Sequence, residues 1–169
     1  MLSISEATTN EQLDAVRTLI RTFVAWHRQR HNEDLALIDQ YFDAKDFEAE
    51  LAGLPGKYAP AKRGWLLLAT YDGQAAGCVA LREIDTQRCE MKRMFVYPEF
   101  QGKKVGRGLA ETLIGEAKSL GYSTMLLDTS YRQVEALSLY ASMGFKKIDP
   151  YYELPPELTN WLVFMQLSL

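Results

Sequence analysis

The 169-residue sequence is poor in the residues that build metal centres and disulfide frameworks, with only two cysteines, Cys78 and Cys89, and two histidines, His27 and His31. Each cysteine lies inside an apolar, strand-like run and neither has metal-ligand spacing, so both are read as small buried side chains in a reducing compartment. The histidines stand four apart, a spacing seen in zinc sites. No companion Glu motif or third ligand accompanies them, so packing and exposure explain them and no metal is expected. No segment approaches the ~18 apolar residues of a membrane span. The N-terminus also lacks the basic region and apolar stretch of a signal peptide, which makes cytoplasm the default location. There is no basic excess either. A formal net charge of -3 gives no general attraction for phosphate backbones, and nucleic acid is not an expected partner. Repeats and low-complexity segments are absent.

What is present fits one domain over residues 1–169 with a single core, since 47% of residues are hydrophobic and 24% charged. Ser3 to Ala7 reads as a first strand, and Thr9 with Gln12 has the spacing of a helix capping box. Leu13, Val16, Ile20, Phe23, Val24 and His27 then recur on one stripe of a helix reaching about Arg30. A second helical stretch spans about Leu35 to Leu51 and runs into a loop marked by Gly53, Pro55, Gly56 and Pro60. Trp65 to Tyr71, the Asp72-Gly73 turn, a strand to Ile84, a turn at Asp85 to Arg88 and the strand Cys89 to Val96 form a three-strand meander stopped by Pro98. A helix from near Gly106 to Gly121, a strand Thr124 to Ser130, a helix from Val134 ended by Gly144, and a strand Trp161 to Leu167 complete the order. That last strand could pair at a dimer edge, which leaves a homodimer open.

Between the strand ending at Val96 and the next helix lies Gln101-Gly102-Lys103-Lys104-Val105-Gly106-Arg107-Gly108. Glycines let the backbone approach a ligand, and a helix N-terminus leaves orphan donors beside the charges of Lys103, Lys104 and Arg107. Such a segment binds anions; the same letters also suit a solvated basic turn. Two phosphate motifs fail on spacing. The P-loop needs four residues before its Gly-Lys pair, whereas Gly102 and Gly106 have three between them and Arg107 follows. A dinucleotide fingerprint starting at Gly106 and Gly108 meets Glu111 where its third glycine belongs.

The run from Met94 to Leu109 resembles the acetyl-CoA motif of the GCN5-related N-acetyltransferase family: an apolar strand, a Pro, Gln101, and then Gly106. Lys104 stands where the inner glycine is expected, and its amide serves as a donor there provided its φ is negative. Downstream, Ala136, Tyr140, Gly144 and Phe145 are similar to a second segment of that family, with Gln133 in place of a frequent Asn. The resemblance covers about Glu90 to Phe145. It implies an α/β (α+β) fold: a mixed, mostly antiparallel sheet of six to seven strands flanked by about four helices. It also implies acetyl transfer from acetyl-CoA to a primary amine by direct attack in a ternary complex. A non-catalytic acyl-CoA-binding or sensing module is the alternative.

Site roles follow from the resemblance. The strand Glu90 to Val96 is expected to splay from its neighbour, so that amides around Met94, Phe95 and Val96 hold the pantetheine arm and polarise the thioester carbonyl. Gln101, Gly102, Lys103, Lys104, Val105, Gly106, Arg107 and Gly108 hold the pyrophosphate, and Gln133 adds a contact. Tyr140 serves the departing thiolate. Glu90 is the first candidate for proton acceptor, because strand alternation places it with Lys92, Met94 and Val96; a Glu90–Lys92 ion pair is the competing explanation. Trp26, Tyr41, Tyr151, Tyr152 and Glu153 are candidates to line the acceptor pocket.

Overall fold

A computed structural model describes all residues, Met1–Leu169. After strand β1 (Leu2–Glu6), the capping box forms as its letters require. Gln12 N donates to Thr9 Oγ1 at 3.2 Å and Thr9 N donates to Gln12 Oε1 at 3.0 Å, which starts helix α1 (Asn10–Arg30). The expected second helix is two helices, α2 (Leu35–Tyr41) and α3 (Ala44–Ala52). The break has a local cause: Asp43 leaves helical geometry and its carboxylate accepts from Asp46 N at 3.2 Å, capping a new helix.

Strands β2 (Trp65–Tyr71), β3 (Gln74–Glu83) and β4 (Arg88–Val96) form the meander, and Asp72 and Gly73 supply the two positive φ angles, 49° and 80°, of a tight hairpin. Helix α4 (Val105–Ser119), β5 (Thr124–Ser130), α5 (Val134–Ser142), β6 (Lys146–Ile148), α6 (Pro156–Trp161) and β7 (Leu162–Ser168) follow. The seven strands make one sheet in the order β1-β2-β3-β4-β5-β7-β6, antiparallel except where β4 meets β5. Two elements are additions to the sequence reading. β6 has three residues and little burial, and α6 is a six-residue helix opened by prolines that absorbs Trp161. The expectation that the strand Trp161 to Leu167 offers a free edge is corrected, because β7 pairs with β5 on one side and β6 on the other.

Because helices cover both faces, β2 and β3 read as near-continuous apolar runs. Leu66, Leu68, Cys78 and Ala80 pack toward Val16, Leu19 and Ile20 of α1. The alternate residues Leu67, Ala69, Val79 and Leu81 pack with Leu109 and Leu113 of α4. A smaller cluster of Ile38, Phe42, Leu158, Trp161, Leu162 and Phe164 joins α2 to α6 and β7.

β3 meets the C-terminal half of β4 so closely that a Cβ on Gly77 would lie 2.8 Å from Phe95 O. Gly77→Ala should therefore displace β4 and lower stability by about 1–3 kcal/mol, read as a reduced urea midpoint with unchanged slope.

Candidate active site

The site begins where β4 leaves β5. Their parallel ladder holds only Arg88, Cys89 and Glu90 against Thr124, Met125 and Leu126, after which the strands diverge. The register of β3 and β4 shifts between Cys78 and Ala80, so that Arg93 and Met94 bulge from β4, with Arg93 at φ +58°. Tyr97 N donates to Ala76 O on β3 at 2.9 Å. Counting back from Tyr97, strand alternation turns the Val96 amide away from β3 and the Phe95 amide toward it, so the expectation that the Phe95 N–H serves the cleft is corrected to a side chain that lines it. Met94 lies in the bulge itself and lines the cleft.

Pro98–Phe100 forms one tight turn, and the chain then doubles into α4. Gln101 N and Lys103 N are used within these turns, donating to Pro98 O and Phe100 O. Gly108 N makes the first bond of α4, to Lys104 O at 3.0 Å, so the N–H groups of Val105, Gly106 and Arg107 precede the helical ladder. Lys104 has φ +64°, not the negative value expected. It takes the left-handed conformation of the glycine it replaces, at about 1 kcal/mol for a side chain there, because its carbonyl must turn to open α4. Two neighbours lie elsewhere. Lys103 Nζ rests 4.8 Å from the Tyr71 ring, and Gly108 packs against Leu2 and Ile4 of β1.

These elements enclose a cleft of about 550 Å³, lined by Met94, Phe95, Val96, Gln101, Gly102, Lys104, Val105, Gly106, Arg107, Gln133 and Tyr140, and by Phe23, Trp26 and Arg30 of α1. Gln133 is buried and its Nε2 has no partner, which leaves a donor without an acceptor in the cleft wall. Arg30 pairs with Glu135 of α5 at 2.6 Å, both at the same cleft. Of these α1 residues Trp26 was expected at a pocket, whereas Phe23 was missed because its apolar stripe looks like core, and Arg30 because nothing in its spacing marks it.

Behind the cleft lies an inner cavity of about 60 Å³, whose lining includes His27, Tyr41, Lys92, Asp128, Ser130 and Trp161. Phe23, Met94 and Tyr140 line both spaces. Tyr140 is 5% exposed, and burial pushes its phenol well above the usual range, so it stays protonated. A third hollow of about 470 Å³, lined by α2, α3 and Arg93, shares Tyr41, Phe42 and Arg93 with the inner cavity. At its wall Arg93 donates to both Glu50 oxygens, at 2.8 and 3.1 Å. Burial would raise the Glu50 carboxyl, but Arg93 and Lys57 outweigh it and bring it down to about 2.

Glu90 lines none of these spaces. It is 1% exposed, accepts from Arg82 Nε at 2.6 Å and from the Tyr151 hydroxyl, and lies 3.8 Å from Lys92 Nζ. Burial alone would raise its pKa; Lys92, Tyr151 and Arg82 overcome that and hold it below the ordinary value. A fully bonded, stabilised carboxylate outside the cavity is a poor proton acceptor, so the expectation for Glu90 is corrected to a structural one. Tyr152 and Tyr41 both donate to Asp128, and only Tyr41 of the aromatics proposed for the acceptor pocket lines the inner cavity. Trp26 lines the cleft instead, Tyr151 and Tyr152 pack on Phe164, and Glu153 is exposed.

Comparison with known proteins agrees with this geometry. The sequence model of the Acetyltransferase (GNAT) family matches residues 23–145. An uncharacterised N-acetyltransferase of Schizosaccharomyces pombe is 34% identical over 99% of this chain and 95% of its own length. One from Dictyostelium discoideum is 30% identical over 94% and 95%. The PaiA N-acetyltransferase of Thermoplasma acidophilum in complex with coenzyme A has a TM-score of 0.74 at 18% identity, covering 100% of this chain and 99% of that one, a likeness of fold.

Glu90→Gln should leave Arg82 and Lys92 without a buried counter-charge and lower stability by about 2 kcal/mol or more. Because the folded-state pKa lies below the unfolded value, the carboxylate stabilises above about pH 4 and loses that effect on further acidification. The melting deficit of the variant should therefore shrink between about pH 5 and pH 3.

Proposed function

The chain belongs to the Acetyltransferase (GNAT) family and is an acyl-CoA-dependent N-acetyltransferase with acetyl-CoA as co-substrate, and on that premise we propose direct transfer of the acetyl group to a primary amine in a ternary complex. The observation that supports the site assignment is the convergence of donors on one cleft: the first-turn amides of α4 and the partnerless Gln133 Nε2, with Val96 and the bulged Met94 beside them. Each would cost free energy if left unmet, and together they suit an anionic and amide-bearing ligand.

In this reading Gln101, Gly102, Lys104, Val105, Gly106 and Arg107 hold the diphosphate, where the α4 dipole and two cations favour negative charge. Met94 and Val96 hold the pantetheine arm, and their N–H groups face the carbonyl oxygen on which charge develops. When bound, acetyl-CoA supplies an electrophilic thioester carbon. Tyr140 stands where cleft and inner cavity meet. Its hydroxyl donates to the departing sulfur, whose conjugate acid lies near ~8.5. The acceptor enters from the hollow beside α2 and α3, opposite the cofactor, and joins the thioester at the inner cavity. The buried, free thiols of Cys78 and Cys89 support a reducing, cytoplasmic setting.

Gly106→Glu is expected to abolish acetyl-CoA binding by calorimetry, since a carboxylate would occupy the diphosphate position. Gly106→Ala is expected to bind, because its Cβ would sit at ordinary distances of 3.5 and 3.7 Å from Leu139 and Val96. Unchanged affinity in the glutamate variant would overturn the loop assignment. Tyr140→Phe should lower kcat about 10- to 100-fold while cofactor affinity holds. Release of free thiol from acetyl-CoA with an amine panel is the assay; tight binding with no turnover on any amine would favour a sensing module.

A further inference from the structure

An ammonium acceptor titrates near ~10.4, so it must lose a proton before attack. With Glu90 turned away, a different group has to receive that proton. His27 lines the inner cavity with Met94 and Tyr140 and is 2% exposed. Its ring is stacked on Trp161 at 5.7 Å and 27°. Trp161 is fixed in turn, because its Nε1 donates to Asp34 Oδ2 at 3.0 Å, an oxygen that also accepts from Arg132 Nε at 3.0 Å. One turn further along α1, His31 is 9% exposed and lies edge-on to His27, with ring centroids 5.2 Å apart. His27 Nδ1 and His31 Nε2 are both buried without any hydrogen-bond partner. Unmet nitrogens on two neighbouring rings would be a standing cost unless a proton or water reaches them.

We propose that His27 and His31 form the proton exit of the acceptor cavity, a reading that rests on the acetyl-transfer assignment above. His27 takes one proton from the acceptor ammonium. The freed amine nitrogen forms its bond to the carbonyl carbon as the carbon–sulfur bond breaks. Its second proton goes to the departing thiolate, and the first leaves through His31 to bulk water. The titratable and charged groups around His27 are Arg30 and the capping His31 at the end of its own helix, Asp34 with Arg132, Tyr41 of α2, Lys92 and Arg93 of β4, Asp128 of β5 and Tyr140 of α5. Burial first, then His31 and Arg30, lower its pKa against the opposing pull of its own backbone carbonyl and Asp34. The imidazole is thus neutral and ready to accept at neutral pH.

The test compares two acceptors, 2-phenylethylamine, which arrives protonated at pH 7, and aniline, which arrives neutral. His27→Gln should lower kcat/KM for the first about 100-fold, recover as pH rises, and leave aniline turnover and acetyl-CoA affinity near wild type. His31→Gln should show a smaller loss of the same pattern. In wild type the activity should fall as pH drops through the depressed His27 pKa, a limb the His27→Gln variant lacks. Equal losses on both amines, or none, would overturn the relay. Absence of thiol release by wild type with every amine of the panel would instead overturn the transfer reading itself. Imidazole NMR gives a check independent of the acceptor: the titration of His27 should shift in His31→Gln, and an unchanged titration would count against coupling.

Discussion

The divergence of β4 from β5 after Glu90 is the constraint on which the rest of the site depends. A sheet that kept its ladder there would satisfy the Val96 amide internally and leave no gap for a ligand. The opening is built in covalently ordered detail, by a bulge at Arg93 and Met94 that bends the strand and re-aims its donors. Everything that follows in the chain uses the gap. The Pro98 turn reverses direction, Lys104 turns its carbonyl into α4, and the helix presents its first amides to the same space. Geometry that would be a defect in an ordinary sheet becomes the ligand cleft.

Electrostatics divides the two sides of this opening. Toward the cofactor, Lys104 and Arg107 add positive charge to a helix N-terminus. On the other side, buried or nearly buried carboxylates are paired: Glu90 with Arg82 and Lys92, Glu50 with Arg93 and Lys57, Asp34 with Arg132. Paired carboxylates of this kind fix geometry and do not serve as bases, because their partners stabilise the charged form. His27 differs in having no such partner: its Nδ1 is unbonded and its ring lines the inner cavity.

Much of the fold was legible in the sequence. The Thr9 and Gln12 capping box, the Asp72-Gly73 hairpin, the helix stops at Gly121 and Gly144 and the strand Thr124 to Ser130 each carry local chemistry that the structure reproduces. What was not legible depends on tertiary contact. Asp43 splits a helical stretch because of one capping bond, and β6 is too short and exposed to leave a periodic signal. For the site, the loop before α4 announced itself through glycine and charge, and Tyr140 through a family-like segment. Glu90 misled because strand alternation gives a face but does not reveal that the face is already filled by Arg82 and Tyr151. His27 was hidden for the converse reason: on a helical stripe it reads as packing, and only its unmet nitrogen and the cavity beside it set it apart.

The pairing of Glu50 with Arg93 bears on how such a protein diversifies. Arg93 lies in the bulge that shapes the thioester side, while Glu50 comes from a helix that borders the acceptor hollow. Of the remaining border, Phe47 lies under the same guanidinium at 5.9 Å and Asp43 caps α3, whereas the Asp46 and Gln40 side chains line the hollow without touching the bulge. Changes at Asp46 or Gln40 can therefore reshape that wall while Glu50 holds the bulged strand in place.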